Sequence, residues 1–387
     1  MTTPDRGFPV TEFEVRTKEM QSTMRDRKVD ALILTTEPNV RYFSGFFTQF
    51  WESPTRPWFL VIPANGKPIA VIPEIGIGGM QQTWIEDIHT WPSPQPEDDG
   101  IFLLVSVISK LPKKHGRIGM TLGIESIIRM PVNNFELLKL GLNHFEFVDL
   151  SMEMHEQRMV KSELEIAKTR HICGVASDTF EAFASYSSEG MTETEIVRNM
   201  KIDLLKRGAD TVSYVVAGSG QGGYDSIIMG PTNRQLTRGD LMIIDTGSTF
   251  DGYFCDFDRN WAFGYADDET RRAYEVVYNA TEAGFNAARP GATTSDLWKA
   301  MNDVMVAGGS LGNEVGRLGH GLGIQLTERP SNTATDGTIL KPGMVMTLEP
   351  GMTFQPGKQM VHEENIVITE DGAQWLTRRA SPELPIV

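Results

Sequence analysis

Cysteine is almost absent from this sequence of 387 residues, which contains only Cys173 and Cys255. So few cysteines exclude the class of small secreted proteins that several disulfides hold together. The low content fits a reducing compartment, and we expect a cytoplasmic protein. A cysteine-poor periplasmic protein would have the same composition.

Long hydrophobic runs and basic stripes are missing as well. No stretch of about 18 consecutive apolar residues occurs, so the sequence predicts no membrane-spanning helix and no membrane partner. The first residues, MTTPDRGFPVTEFEVRTKEM, lack a basic region followed by an apolar one, and we expect no signal peptide. The net charge is −15, and Lys and Arg form no stripe among aromatic residues, which argues against a nucleic-acid partner.

The length of the chain suits two domains better than one. The first third alternates helix and strand signals: a helical stretch, the short strand DALILTT, and a hairpin PWFLVIPANGKPIAVIP that turns at residues 64–67. Two more strands, GRIGMTLG and FEFVDLS, flank a helical segment. We therefore expect an α/β domain over residues 1–155 and a second domain over residues 156–387.

The second part of the chain combines long helices with strands. Ser162 with Glu165, and Thr192 with Glu195, are capping-box signatures that open two of the helices. Two more long helices follow, one over DETRRAYEVVYNATEAGFNAA and one from about Ser295. The strands between and after them predict an α+β unit in which helices pack on mostly antiparallel strands.

Acidic residues are concentrated in the stretch DTGSTFDGYFCDFDRNW, which holds four aspartates in a pattern otherwise typical of a sheet. A turn at Asp251-Gly252 would bring Asp245 and Asp256 onto neighbouring strands, with Asp258 on the same face as Asp256. Three carboxylates on one surface repel each other, and a divalent cation commonly relieves this repulsion. The alternative is an edge hairpin with solvated aspartates.

Three more candidate metal ligands lie downstream. His320 is flanked by glycines in GRLGHGLG, Glu349 ends an apolar strand in MVMTLEPGM, and Glu363 starts a strand in HEENIVIT. Each residue alone is more typical of a loop or a strand end. Together with the aspartates they form an oxygen-rich set with one imidazole, which suits a pair of divalent ions better than a structural zinc site.

The ordered motifs DTG, CDFDR, GHGLG, TLEPGM and HEENIVIT resemble those of the creatinase, prolidase and methionine-aminopeptidase superfamily. The stretch NVRYFSGF is similar to the creatinase-type N-terminal domain that precedes the catalytic domain in part of this superfamily. The resemblance covers essentially the whole chain. It implies an α+β protein in which a pita-bread domain follows a smaller α/β creatinase-like domain.

The resemblance also implies a role for each candidate ligand. Asp245 would chelate one metal ion, Asp256 and Glu363 would bridge two ions, and His320 and Glu349 would complete the second ion. Oxygen-rich ligation suits manganese, although iron, cobalt or zinc fit the same ligands. The resemblance further implies a homodimer.

The sequence departs from the peptidases of this superfamily at three positions. Two histidines that usually lie near the scissile bond are replaced by Ile228 and Thr327, which become candidates for substrate contact. Asp258 stands where the superfamily usually has Thr. We expect it to act either as an extra ligand or base or, alternatively, as a salt-bridge partner of Arg259.

Further substrate contacts are expected in two places. Tyr224 and Asp225, in GQGGYDSIIMG, precede the first metal aspartate, Asp245, in the sequence. Trp51, Arg56 and Trp58, in the aromatic and proline-rich stretch QFWESPTRPWF, are candidates for a roof over the active site. Local packing is the alternative for this roof.

The predicted function is hydrolysis of a C–N bond in a small amide, cyclic amidine or imide-like compound by attack of a metal-bound hydroxide. The expected partner is a small-molecule or short-peptide substrate. Glu349 would move the proton to the leaving nitrogen, with Asp258 as a further catalytic candidate. One alternative is an Xaa-Pro dipeptidase or aminopeptidase, which the two missing histidines disfavour. The others are a lyase resembling those that split dimethylsulfoniopropionate, and a pita-bread binding module without catalytic activity.

Overall fold

The computed structural model of the chain describes residues 2–53, 56–312 and 316–387. The chain divides into two compact units. One comprises Asp5–Arg158, and the other comprises Met159–Val387 together with residues 2–4. No helix in these described ranges is long and apolar enough to cross a membrane.

The N-terminal unit is a six-stranded mixed sheet with helices. Its helices are α1 Val10–Asp26, α2 Glu37–Ser44, α3 Ile77–Met80, α4 Ile101–Ser109, α5 Val132–Gly141 and α6 Ser151–Met159, the last of which ends at the unit boundary. Its strands are β1 Ala31–Leu34, β2 Phe59–Pro63, β3 Ile69–Pro73, β4 Asp87–Trp91, β5 Arg117–Met120 and β6 Glu146–Asp149. Short 3₁₀ helices span Gln49–Glu52 and Glu74–Gly76.

The strand order of this sheet is β4-β3-β2-β1-β5-β6. Every residue of β1, β2 and β3 is buried, which explains why these strands read as continuous apolar runs rather than alternating ones. The β2–β3 pair is the predicted antiparallel hairpin, and Gly66 at its turn takes a φ of 94° that favours glycine.

The C-terminal unit surrounds antiparallel strands with four long helices. The helices are α7 Glu163–Glu181, α8 Glu193–Arg207, α9 Asp268–Ala287 and α10 Thr294–Ala307, and a 3₁₀ helix spans Phe183–Ser185. The strands are β7 Thr211–Gln221, β8 Asp240–Phe250, β9 Tyr253–Phe254, β10 Phe257–Ala262, β11 His320–Gly321, β12 Glu328–Ser331, β13 Val345–Leu348, β14 Gly351–Gln355, β15 Lys358–Val361, β16 Glu364–Ile368 and β17 Ala373–Trp375.

Side-chain caps fix where these helices begin. Both predicted capping boxes form, at Ser162 for α7 and at Thr192 for α8. Thr293 with Asp296 makes a third one that opens α10. Each box satisfies backbone N–H groups that the first helical turn leaves without a partner, a contribution of about 1 kcal/mol.

One sheet of this unit has the order β10-β8-β7, with β9 also paired to β8. The β8–β9 hairpin turns at Asp251-Gly252, whose φ angles of 47° and 79° are both positive, as a tight two-residue hairpin turn requires. Asp245 lies in β8 directly opposite Asp258 in β10. Asp256 lies in the short gap between β9 and β10.

A second sheet has the order β12-β11-β13-β16-β17. His320 begins β11, Glu349 follows the end of β13, and Glu363 precedes the start of β16. Because Leu348 pairs with Glu364 in the antiparallel β13–β16 pair, Glu349 and Glu363 emerge from the same end of that pair. The two sheets thus bring five acidic or imidazole side chains to strands and strand ends of one unit.

Candidate metal centre

Three of the predicted ligands meet at one point. One oxygen of Asp256, one oxygen of Glu363 and a ring nitrogen of His320 all lie within 4.8 Å of one another. The three side chains are only 3–5% exposed. This spacing and this mixture of carboxylate oxygen and imidazole nitrogen suit a divalent ion.

Asp245 and Glu349 complete the cluster on its more open side. Glu349 Oε1 lies 3.8 Å from His320 Nε2, and the glutamate side chain is 23% exposed. Asp245 lies near enough to Asp256 and Glu349 for their charges to raise the pKa of its carboxyl. All five predicted ligands therefore belong to one electrostatic cluster.

His320 is oriented for metal binding by its own backbone neighbour. Its Nδ1 lies 2.8 Å from the carbonyl oxygen of Gly321, so Nδ1–H donates and the lone pair stays on Nε2. Nε2 points at the carboxylates and lies 3.3 Å from Asp256 Oδ2. A metal-ligating histidine commonly has this arrangement, because the hydrogen bond at one nitrogen fixes the ring and the tautomer.

Burial dominates the electrostatics of the cluster. It raises the pKa of Asp256 to about 8 and raises the pKa of Glu363 and Asp245 well above the ordinary range, and for the latter two the neighbouring carboxylates add to the effect. Burial also raises the pKa of Glu349 and lowers that of the His320 imidazole. A positive charge among these groups would remove the repulsion that opposes their ionisation.

The residues fit a metal by a second, independent criterion. Within the part of the chain that the structure describes, Asp245 Oδ1, Glu349 Oε1 and Glu363 Oε1 are buried oxygens without a hydrogen-bond partner. A buried polar atom without a partner is costly, and such atoms are uncommon in folded proteins. Three of them on three predicted ligands of one cluster indicate that their partners are bound cations.

Two residues that sequence reasoning missed support the ligands from outside. The Tyr214 hydroxyl donates a hydrogen bond to Asp245. The Thr347 hydroxyl donates to the Glu349 carboxylate and accepts a 3.0 Å hydrogen bond from the His320 N–H. Thr347 precedes Glu349 by two residues. Because side chains two residues apart in an extended segment point to the same side, this spacing could have predicted the contact.

Asn365 holds the segment that carries Asp256. Its Oδ1 accepts from the Asp256 N–H at 3.0 Å, and its Nδ2 donates to the Asp256 carbonyl oxygen. Asn365 is fully buried in β16, two residues after Glu363, which directly precedes that strand. One amide group therefore links the backbone of one predicted bridging ligand to the strand that directly follows the other.

Replacing Asn365 by Leu, which is similar in size and has no polar group, is expected to weaken metal binding by about 10- to 100-fold. Both hydrogen bonds to Asp256 are lost, so its carboxylate is no longer held at a fixed position relative to Glu363. Isothermal titration of the metal-stripped protein with Mn²⁺ measures the change.

Asn199→Leu is the matched control, because the Asn199 amide also bonds a backbone carbonyl, that of Tyr186, elsewhere in the same unit. We expect this control to bind Mn²⁺ as the unaltered protein does. Equal Mn²⁺ affinity in Asn365→Leu and Asn199→Leu would contradict a positioning role for Asn365.

Asp258 is 1% exposed, and burial raises the pKa of its carboxyl well above the ordinary range, with the Asp245 charge adding to the effect. The expected alternative of a salt bridge with Arg259 is wrong. The Arg259 guanidinium pairs instead with Glu364 at 3.0 Å, and it reaches Asp258 only at the backbone carbonyl. Alternation along β10 explains this, because the side chains of adjacent strand residues such as Asp258 and Arg259 point to opposite faces.

The expected substrate contacts near the first metal aspartate differ in their exposure. Tyr224 is 1% exposed, and its hydroxyl donates to Asn260 Oδ1 at 2.9 Å and accepts from the Val361 N–H, an arrangement that favours a structural role for this hydroxyl. Asp225 and Ile228 are exposed, Ile228 by 74%. Their roles remain predictions.

Two of the three candidates for an aromatic roof, Trp51 and Trp58, are buried. Trp58 is 1% exposed and Trp51 8% exposed, and their ring centroids lie 5.9 Å apart in the N-terminal unit. The burial and mutual packing of these two rings favour the alternative of local packing, and their role as a roof stays a prediction. Arg56 lies over the Phe50 ring and stays a prediction, while Pro54 and Thr55 of the same stretch lie outside the described residues.

Comparison with known families agrees with the geometry of the cluster. The model of metallopeptidase family M24 matches residues 167–371, which is more than half of the chain and contains all five predicted ligands. The chain belongs to metallopeptidase family M24. The creatinase/prolidase N-terminal domain matches residues 16–160 of this M24 protein.

Individual relatives cover nearly the whole chain. The protein called "Probable dipeptidase PepE" of Mycobacterium tuberculosis is 29% identical over 371 residues, 95% of each chain. The crystal structure of dipeptidase PepE from Mycobacterium ulcerans has a TM-score of 0.85 and 25% identity and covers 98% of this chain and 99% of that one. A prolidase from Thermococcus sibiricus has a TM-score of 0.87 at 23% identity, over 97% and 99% of the two chains, which shows the shared fold alone.

These matches confirm the predicted superfamily and the predicted fold class, a pita-bread domain preceded by a creatinase-like domain. They also confirm that this M24 protein is a metal-dependent hydrolase.

Proposed function

We propose that this M24 protein hydrolyses the C–N bond of a small amide, with two divalent ions held by Asp245, Asp256, His320, Glu349 and Glu363. The observation that carries the proposal is the set of buried carboxylate oxygens without partners around the His320 ring. We favour dipeptides as the substrate class, since the relatives that cover nearly the whole chain are called dipeptidases.

Each ligand has a proposed position relative to the ions. Asp256 and Glu363 would be shared between the ions, Asp245 would hold the first, and His320 and Glu349 would complete the second. We propose manganese as the metal, because four of the five ligands are carboxylates. When bound, such a pair of ions supplies an acidified water as nucleophile and positive charge at the substrate carbonyl.

Glu349 is the proposed proton carrier. Its side chain is 23% exposed, so this carboxylate of the cluster can exchange a proton with a group on the open side. Thr347 fixes its carboxylate by a hydrogen bond, so a proton held there stays close to the open side. From that position Glu349 donates to the nitrogen that leaves the substrate.

The protein lacks imidazoles at two positions where peptidases of the superfamily usually have them. Ile228 is 74% exposed and Thr327 is also exposed, so neither side chain is taken up by the core. General acid–base groups of this kind commonly contribute about 10²–10⁴-fold, so we expect low turnover on Xaa-Pro substrates that depend on them.

A substrate panel on the metal-loaded protein tests this proposal. Purified protein is stripped with a chelator, reloaded with Mn²⁺ and incubated with Xaa-Pro dipeptides, other dipeptides and N-acyl amides, while the stripped sample is the control. We expect Mn²⁺-dependent release of free amine from dipeptides that lack proline. The proposal fails if no member of the panel releases amine, or if only Xaa-Pro peptides do.

The remaining alternatives have distinct readouts in the same experiment. Release of dimethyl sulfide from dimethylsulfoniopropionate would identify a lyase. Retention of Mn²⁺ without turnover of any compound would favour the binding module. Homodimerisation and a cytoplasmic location remain predictions from the sequence.

A further inference from the structure

Arg317 reaches the metal cluster from the segment just before His320. Its Nε lies 3.7 Å from Glu349 Oε1, and its Nη2 lies 3.5 Å from the Thr327 hydroxyl oxygen. The guanidinium thus connects a predicted metal ligand to Thr327, one of the two positions where an imidazole is missing.

The positive charge of Arg317 acts on several members of the cluster. It lowers the pKa of the Asp256 and Glu349 carboxyls and of the His320 imidazole, against the larger effect of burial on the two carboxyls. Arg317 is therefore near enough to influence a group held at the metal centre.

Arg317 also lies on the side of the cluster from which a substrate can approach. Its side chain is 34% exposed, and its partners Glu349 and Thr327 are partly or fully exposed. Asp256, His320 and Glu363 are only 3–5% exposed. A substrate carbonyl brought to the centre therefore approaches alongside the guanidinium.

Bound cations would weaken the attraction between the Arg317 guanidinium and the Glu349 carboxylate. Once Glu349 binds a metal ion, its negative charge is shared, and the guanidinium loses part of its attraction to that carboxylate. A guanidinium has five N–H donors in a planar fork that matches a carboxylate. The Thr327 hydroxyl can donate one more hydrogen bond to the same carboxylate.

We propose that Arg317 and Thr327 form a subsite for an anionic substrate group, a carboxylate close to the scissile amide. The subsite rests on the proposed function, since it selects which small amides the metal centre cleaves. It predicts a preference for dipeptides with a free C-terminal carboxylate over the same dipeptides with a C-terminal amide.

The test compares the unaltered protein with Arg317→Gln on one dipeptide and its C-terminal amide. We expect kcat/KM for the free acid to fall by about 10- to 100-fold, the effect of losing one hydrogen bond to a charged group. The amide should be hydrolysed as before. Arg272→Gln is the control, because Arg272 is exposed and pairs only weakly with Glu269 in the same unit.

Mn²⁺ titration by calorimetry provides a readout that does not depend on turnover. Arg317→Gln should bind Mn²⁺ at least as tightly as the unaltered protein, because a positive charge next to the ions is removed. An equal loss of kcat/KM for acid and amide, no loss at all, or weaker Mn²⁺ binding would each overturn the subsite.

The subsite remains testable if the proposed function fails. Leucine and leucinamide differ at the carboxylate, and their binding to the Mn²⁺-loaded protein is measured without any reaction. Tighter binding of leucine that disappears in Arg317→Gln would support the subsite, even if no dipeptide were cleaved. Equal binding of the two compounds to the unaltered protein would overturn it.

Discussion

Glu363→Gln is expected to reduce turnover by roughly 10³-fold or more and to remove tight metal binding. Glu363 is 3% exposed and has a buried oxygen without a hydrogen-bond partner. One of its oxygens lies within 4.8 Å of the ligand atoms of Asp256 and His320. An amide keeps the size of the side chain and loses the charge that two cations would share.

The same variant is expected to be more stable than the unaltered protein when both are metal-free. Burial raises the pKa of Glu363 most, and the charges of four neighbouring carboxylates raise it further, so ionising this side chain without a metal is costly. Replacement by Gln removes that cost. Thermal unfolding with chelator and with Mn²⁺ measures both effects. Full Mn²⁺ binding by Glu363→Gln would contradict its role as a ligand, and Glu275→Gln on the surface is the control.

The metal-free protein is expected to lose stability as pH rises from about 4 to about 8. Burial raises the pKa of Asp256 from an ordinary value of 3.8 to about 8, so the folded state binds its proton more tightly than the unfolded state does. The stabilisation is complete below the unfolded pKa and is lost as pH rises through the folded one, at about 1.4 kcal/mol per pH unit.

His320 acts in the opposite direction, but only below its ordinary pKa of 6.5, because burial lowers its pKa in the folded state. Between pH 6.5 and 8 the carboxyl effect therefore dominates, and we expect a loss of about 2 kcal/mol. The unfolding midpoint should fall by roughly 4–8 °C over that range.

Differential scanning calorimetry with chelator at several pH values measures this loss, with Asp256→Asn as the comparison. We expect a smaller loss in Asp256→Asn, which cannot titrate at that position, and little loss with Mn²⁺ present. A metal-free stability that rises between pH 6.5 and 8 by the same amount in both proteins would contradict the cluster's electrostatics.

The predicted ligands could be found from the sequence because each breaks a local rule. Asp245 lies within a buried apolar strand, Glu349 ends one and Glu363 precedes another, places where an ionised carboxylate is costly without compensation. The hairpin at Asp251-Gly252 and the capping boxes were predictable for another reason. Each of these features depends only on a few adjacent residues.

The contacts that support the ligands were harder to predict. Asn365 and Arg317 act through partners far along the chain or across strands, and their residue types are common in ordinary strands and loops. Tyr224 is buried with its hydroxyl bonded to Asn260, a contact between distant segments that no local pattern reveals. Arg259 pairs with Glu364, a residue of the other sheet and 105 positions away in the sequence, rather than with its neighbour Asp258.

The central claim is that Asp245, Asp256, His320, Glu349 and Glu363 together bind two divalent cations. Elemental analysis of the purified protein, after reconstitution with Mn²⁺ and removal of loosely bound ions, measures this most directly. We predict two manganese ions per chain, and a lower content when Glu363 is replaced by Gln. A chain that holds no metal after reconstitution, or equal contents in both proteins, would contradict the claim.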